Sequence, residues 1–486
     1  MTKFNSKKVD STVTVNKEGA KAYKNSDKVE LINLVSTSLV QNMFYEREDD
    51  RIDRLKKLVE KIAKTDPEFI AKLISYTRNK MNLRSVTHIL LVELALNHNG
   101  DDLVKKATMK GVQRLDDITE ILSYWKHRLG IESLGKKAIS KQLKVGLAQR
   151  FSEFDEYHYA KYKQEGKGIS LRDALFLIHA KPKSGQEKVF KKLIDRELKN
   201  TETWESGVKF ETLIMEEKLP YMAALRNLNN IVKENVSTEA LVKVTDYLKN
   251  KTAVLNGKQL PFRYYSAYNA LIENGVPKNH IMIKAIEGAM KVSAENITGF
   301  DKNEKILICA DVSGSMNDNI SGKSDIRCVD IGMVFASTLN SFSNFADVYV
   351  FGTNCIPMDN LITGNIMHNV ELMENQRYNA GGGTYGAKCL EKAIKSGKIY
   401  DKIVFFTDLQ IYGQDSMEDM WKRYKVVNPN CKLILFNLAG YGTTPVKVNN
   451  KNVIEVAGWS DKIFDVLDFA MKEGSILEAV ENESLI

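Results

Sequence analysis

The chain has little of what would mark a secreted, disulfide-stapled or membrane-spanning protein. It carries five cysteines in 486 residues (Cys309, Cys328, Cys355, Cys389, Cys431), odd in number and far apart, with no C-x-x-C pair and no histidine at ligand spacing. That pattern excludes a disulfide framework and a thiolate metal site, and leaves free thiols in a reducing compartment. No apolar run approaches the roughly 18 residues that cross a bilayer. The opening MTKFNSKKVD is polar and basic, without the apolar stretch of a signal peptide. A cytoplasmic protein with no membrane partner is expected. Histidine is scarce as well: beyond residue 300 there is only His368, which reads as a surface loop residue.

What is present is the balance of a folded chain, 43% hydrophobic and 27% charged. Its length calls for two or three domains. The net charge of +8 hides two unlike parts. Residues 1–300 hold 52 Lys and Arg against 38 Asp and Glu, a net of +14, and the remainder holds 18 against 24, a net of −6. The excess is densest over residues 51–150, with 21 basic side chains against 11 acidic ones. A basic half is the footprint of a polyanion binder, although charged helix faces also serve simply to meet solvent.

From about residue 27 to 295 the periodicity is helical, and period-two strand patterns are nearly absent. In TDPEFIAKLISYTRNK, Thr65 and Glu68 read as a capping box with Pro67 in the first turn, and Phe69, Ile70, Leu73, Ile74 and Thr77 share a face. A helical region this long, with short polar connectors and no sustained heptads, fits a stack of helix pairs. The stretch KYKQEGKGISLRDALFLIHAKPKS is the richest. Ser170 and Asp173 form a capping box, Leu171, Ala174, Leu175 and Ile178 form the buried stripe, and Pro182 marks the stop. Arg172, Phe176 and His179 fall on a second stripe, flanked by Lys163, Lys167, Lys181 and Lys183. Cations beside an aromatic and a histidine suit phosphate contact and base stacking. A solvated basic helix face is the plain alternative.

Beyond residue 305 short apolar runs (KILICA, ADVYVF, KIVFFT, CKLILFN, NVIEV) alternate with helical patterns near 326–343, 386–395, 415–426 and from 460. This predicts a doubly wound parallel sheet, α + α/β for the whole chain, with ligands outside the carboxyl ends of the strands. Three polar clusters lie there: Asp311, Ser313 and Ser315 after KILICA, Thr384 in NAGGGTYGA, and Asp408 after KIVFFT. Two carboxylates and three hydroxyls can hold a hard divalent cation such as Mg2+, partly through water. So few direct carboxylates leave the ion positive, with an open position that an acidic group of a partner can complete. A serine nucleophile lacks both a base and the G-x-S-x-G elbow. In a P-loop reading of SGKSD, Asn317 stands where glycine is required.

Asp311-x-Ser313-x-Ser315, Thr384 and Asp408 resemble the metal-ion-dependent adhesion site of von Willebrand factor A domains, over about residues 303–475. The helical half resembles the TROVE module of the 60 kDa Ro ribonucleoprotein family and telomerase-associated proteins. NKEGAKAY, MFYEREDDRIDRL, LISYTRNKMNLRSV, LRDALFLIHAKP, TWES, LPYMAALRNL and LPFRYYSAYNAL occur in the family's order. The resemblance implies a ring of HEAT-like repeats over residues 1–300, clasped by an A domain over 301–486. It implies binding of small noncoding Y RNAs, and of single-stranded 3′ ends of misfolded RNAs, in RNA quality control. An acidic protein or a ribonuclease would be a further partner. Arg172, His179 and Lys181 carry over as RNA contacts; Lys163 and Lys167 join them on charge alone. Arg78, Arg84 and Arg226 match other family stretches, as RNA contacts or helix-terminus partners. Tyr157 and Tyr162 could stack on bases or pack between repeats. Tyr385 follows the loop threonine where relatives often carry an acidic residue. Two other classes stand beside this reading: a Mg2+-dependent protein-interaction adaptor with a purely structural helical half, and an RNA-processing enzyme. The enzyme would need a nuclease-like carboxylate cluster that the helical half lacks.

Overall fold

The computed structural model describes residues 12–37, 43, 45–135, 138–162, 168–198, 210–257, 259, 261–321, 324–448, 452–459 and 462–485. The chain forms two compact units, Met1–Arg51 with Val208–Ile476, and Ile52–Gly207 with Leu477–Ile486.

The second of these is helical. Pro67–Asn79 packs on Leu103–Gly111, that helix on Lys141–Phe151, and the last on Leu171–Ile178, while Ser85–Asn97 packs on Leu115–Arg128. Alternate helices therefore share a layer, as stacked pairs require. The contact is close enough to dictate a residue: a Cβ at Gly146 would stand 2.7 Å from the Cβ of Thr108. The helix beginning at Pro67 is capped by Asp66, which accepts from Phe69 N, and not by Thr65 as the capping-box reading had it. Pro67 is tolerated in the first turn, which puts the cap on the residue before it. Thr65 instead donates to Ile62 O and closes the preceding helix. The acidic C-terminal segment docks on the Pro67–Asn79 helix, where Lys72 Nζ donates to Glu481 O (2.9 Å) and Ser75 Oγ to the Glu483 carboxylate (2.8 Å).

The other unit holds the sheet. In spatial order its strands are Val453–Ala457, Lys432–Asn437, Lys402–Thr407, Lys305–Asp311, Phe345–Phe351 and Cys355–Pro357. All pair in parallel except the last, a short antiparallel edge that the sequence did not announce. The five apolar runs thus become five strands, buried on both faces as continuous hydrophobicity demands. Helices Cys328–Phe342, Ala387–Ser396, Met417–Val427 and Ile463–Glu473 fall where the alternation placed them. Phe406 lies between Phe335 (5.7 Å) and Phe436 (4.7 Å), which ties the sheet to its covering helix. Helices between Phe210 and Ser293 belong to this unit too, and Phe262 packs edge-on against Phe335 at 6.2 Å. Ahead of the stretch read as helical, Thr12–Val15 and Lys21–Lys24 form a hairpin, and the latter pairs with Thr443–Thr444. Among the described residues no helix is long and apolar enough to cross a membrane. All five cysteines are free thiols, four of them buried.

Candidate metal centre and nucleic-acid interface

Strand order reverses between Lys305–Asp311 and Lys402–Thr407, whose next elements leave on opposite sides, so a crevice opens at their carboxyl ends. Asp311 is the last residue of one strand and Asp408 follows the other. Both are buried, as are Ser313, Ser315 and Thr384. Asp311 Oδ1 accepts Ser313 N (2.9 Å) and its Oδ2 accepts Thr407 Oγ1 (2.6 Å). Asp408 Oδ1 accepts Gln410 N (2.9 Å), while its Oδ2 is buried with no hydrogen-bond partner. The two serine hydroxyls lie 3.3 Å apart. Thr384 is brought in by the glycine loop: Gly314 N donates to Gly382 O (3.0 Å) and Tyr412 N to Thr384 O (2.9 Å), which joins the three loops. Gly352 admits that loop, since a Cβ there would stand 2.0 Å from Gly381 O. Leu409, beside Asp408, is held at φ +63°, a left-handed conformation that bulky residues rarely adopt outside functional turns.

Burial pushes both carboxyls above the ordinary aspartate range, helped at Asp311 by the Asp408 charge and at Asp408 by the Glu18 and Asp318 charges. Among the described residues neither forms an ion pair, and no basic side chain is among the chief influences on either. An orphaned buried carboxylate oxygen beside two serine hydroxyls and a threonine is a donor set for a hard, oxygen-seeking cation, and the residues present fit Mg2+. Among the described residues no cluster of three His, Cys, Asp or Glu side chains offers a rival site. The sequence reading missed Thr407 and Gln410, which hold the two aspartates. Thr407 stands next to Asp408, but only the fold shows that its hydroxyl reaches across to Asp311. Tyr385, in place of an acidic residue, packs against Tyr412 at 5.1 Å with Lys388 Nζ over its ring.

The basic stretch lies in the helical unit. Ser170 and Asp173 form the capping box of Leu171–Ile178, and Leu171, Ala174, Leu175 and Ile178 are its buried face. Arg172 lies over Phe176 (5.2 Å) and donates through Nε to Ile194 O (2.9 Å), so part of its hydrogen bonding is structural. His179 is not on the helix but ends it, exposed and left-handed at φ +57°. Lys181 and Lys183 are exposed; Lys163 and Lys167 lie outside the described residues. Nearby, Tyr157 is 53% exposed and Lys161 Nζ lies over both Tyr157 and Tyr162, with Arg114 over Tyr162, so these rings belong to a cation-lined surface.

Two of the family-matched arginines are committed inward. Arg78 Nη2 meets Asp117 at 3.2 Å, and Arg84 meets Asp116 at 2.8 Å and Glu120 at 2.9 Å as well as Asp117. Asp117 caps the Leu115–Arg128 helix by accepting Gln113 N and Arg114 N, with His88 Nε2 at 3.2 Å from its other oxygen. Burial opposes its charge, yet hydrogen bonds from His88 and Arg84 hold its carboxyl far below the usual range. Arg226 is exposed.

A doubly wound sheet with D-x-S-x-S at one strand end, threonine in a glycine loop and aspartate at the neighbouring strand end is a von Willebrand A domain, here joined to helical repeats. The TROVE domain family model matches residues 15–210 and 208–303, and the Ro60 vWA domain model matches residues 305–470. The chain belongs to the TROVE domain family. Its similarity to telomerase protein component 1 is 22% over 333 residues for Mus musculus and 22% over 296 residues for Rattus norvegicus. Those matches take in 50% and 43% of this chain but only 13% and 11% of those much longer proteins. The crystal structure of the Ro (RSR) protein of Deinococcus radiodurans superposes with a TM-score of 0.62 at 16% identity, over 92% of this chain and all (100%) of that one. That likeness is one of fold.

Proposed function

We propose that the protein is an RNA-binding ribonucleoprotein scaffold of the Ro type with no catalysis of its own. The observation that carries the reading is membership of the TROVE family together with the net +14 of residues 1–300. The RNA is a small noncoding, Y-like RNA. Single-stranded 3′ ends of misfolded or degradable RNAs are a second class of ligand, in cytoplasmic RNA quality control. Residues 1–300 carry the RNA, with Arg172, His179, Lys181 and the flanking Lys163 and Lys167 as contacts. Residues 301–486 carry a Mg2+ ion on Asp311, Ser313, Ser315, Thr384 and Asp408.

Binding runs chiefly through phosphate neutralisation, so log K falls with log salt by roughly 0.7–0.9 per phosphate engaged. The ion would supply a positive, water-retaining centre that docks a carboxylate of an acidic protein or a ribonuclease; the protein's own part is to bury the aspartates and aim the hydroxyls. Crosslinking in the native cell, followed by sequencing of the co-purified RNA, tests the proposal. Enrichment of one or a few small structured RNAs is expected, and an RNA profile matching the bulk transcriptome overturns it. Neutralising Arg172, His179 and Lys181 separates this function from that of a metal-dependent adaptor, which would keep all its binding.

A further inference from the structure

The N-terminal hairpin brings a carboxylate to the third loop of the metal site. The turn Asn16–Ala20 is shaped by Asn16, whose Oδ1 accepts Glu18 N (3.1 Å) and Ala20 N (2.9 Å), with Gly19 at φ +75°. Asn16 is buried, and its Nδ2 donates to Ile411 O at 2.8 Å. Lys17 N donates to Gln410 Oε1 at 2.9 Å. Gln410 is also the residue whose backbone amide holds Asp408 Oδ1. The turn is therefore fastened to the segment that positions Asp408.

Glu18 sits at the tip of this turn, and its carboxylate accepts the Tyr45 hydroxyl. The Tyr45 phenol is also within hydrogen-bonding reach of Ser315, and its ring packs edge-on against Tyr441 at 5.4 Å. Glu18, Tyr45 and Ser315 form one chain of contacts, and the Glu18 charge is near enough to act on Asp408 and Tyr412. Glu18 is exposed and adds, with Asp318, negative charge at the rim of the two buried aspartates, a charge that a cation among them would offset.

We propose that Glu18 is the chain's own acidic ligand for the metal, direct or through one water, filling the position that an acidic partner would otherwise take. This rests on the reading of the site as a Mg2+ site. It makes docking of any acidic partner a competition with the hairpin turn.

The test uses the full chain with Mn2+ as the probe, reading its dissociation constant by electron paramagnetic resonance and its bound water by proton relaxation. Glu18→Gln should weaken Mn2+ roughly tenfold. It should also raise the relaxivity of the bound ion, as water takes the vacated position, and let added acetate suppress that gain at concentrations that leave the wild type unchanged. Glu18→Asp, one methylene shorter, should fall between. If the wild type binds Mn2+ and Asp408→Asn abolishes it while Glu18→Gln matches the wild type in affinity and relaxivity, the assignment of Glu18 is overturned and the metal site stands. If the wild type binds no Mn2+, the metal site itself falls and takes the assignment with it.

Discussion

Asp311 and Asp408 are held alike: each accepts, at 2.9 Å, the backbone amide two residues further on, Ser313 N in one case and Gln410 N in the other. The matched turns hold two buried carboxylates at the carboxyl ends of neighbouring strands, with no basic side chain between them among the described residues, and Asp311 gains a further side-chain donor in Thr407. Without metal the pair repels, so Asp408→Asn should stabilise the metal-free protein, by on the order of 1 kcal/mol. The same change should erase stabilisation by Mg2+. Thermal melts with and without Mg2+ check both, and a Mg2+-induced rise in Tm equal to that of the wild type would sink the assignment of Asp408.

The sheet, and the polar residues at its strand ends, were legible because each is written locally. Five apolar runs gave five strands, and polar residues at strand ends mark ligand positions whatever lies between them. The N-terminal hairpin was not read, since Thr12–Val15 and Lys21–Lys24 are only four residues each, and Lys21–Lys24 takes its other partner from Thr443–Thr444. Thr407 and Gln410 were missed for the same reason: their contacts are made across up to about four hundred residues of sequence. His179 failed differently. Seven-residue spacing from Arg172 put it on a helix face, whereas it leaves the helix in a left-handed cap that periodicity cannot register.

Arg172 and Lys181 should separate structural from electrostatic contributions to RNA binding. The Lys181 side chain is exposed while its backbone O takes the Ser152 hydroxyl, so Lys181→Ala should leave stability unchanged. It should reduce the slope of log K against log salt by roughly 0.7–0.9. Arg172→Ala should give a similar change in slope and also lower stability by about 1 kcal/mol, through the lost bond to Ile194 O. Filter binding across a salt series, with denaturant melts alongside, measures the two; an unchanged slope for both variants would remove these side chains from the interface.

Asp117 is the hub of the helical unit. Asp117→Asn leaves Arg78, Arg84 and His88 without their shared buried anion, so a loss of about 3–5 kcal/mol is expected. The pH dependence has a definite sign. The Asp117 carboxyl is depressed, so its contribution is present above the ordinary carboxylate pKa and lost only in strong acid. Burial pulls the His88 imidazole down, but its bonds to Asp117 and Glu120 raise it above 6.5 overall. Its contribution is therefore full below that value and fades as pH rises through the higher folded value. Hydrogen exchange over residues 85–128 should accelerate on the alkaline side of neutrality in the wild type, and at all pH values in Asp117→Asn. Protection within 1 kcal/mol of the wild type would show that the cluster is not cooperative.

Glu455 ties the N-terminal segment to the sheet by an opposite electrostatic logic. Its carboxylate, buried on the edge strand Val453–Ala457, accepts from Asn33 (2.6 Å), Asn437 (2.9 Å) and Asn25 (3.2 Å). Burial pushes it up to about 7, against the pull of those three amides. Asn33 Oδ1 has no hydrogen-bond partner, so a donor on the Glu455 side would complete the cluster, and protonation supplies one. A raised carboxyl contributes stability that is full below the unfolded value near 4.5 and is lost as pH rises through about 7. The loss is about 3 kcal/mol, at roughly 1.4 kcal/mol per pKa unit. Glu455→Gln carries an amide donor at every pH, so it should flatten this slope and be the more stable form at pH 8. Chemical denaturation between pH 5 and 8, with hydrogen exchange over Asp27–Ser36 as the local reading, decides the matter. Parallel pH profiles for the two proteins would mean that Glu455 stays ionised and that the three asparagines alone meet its charge.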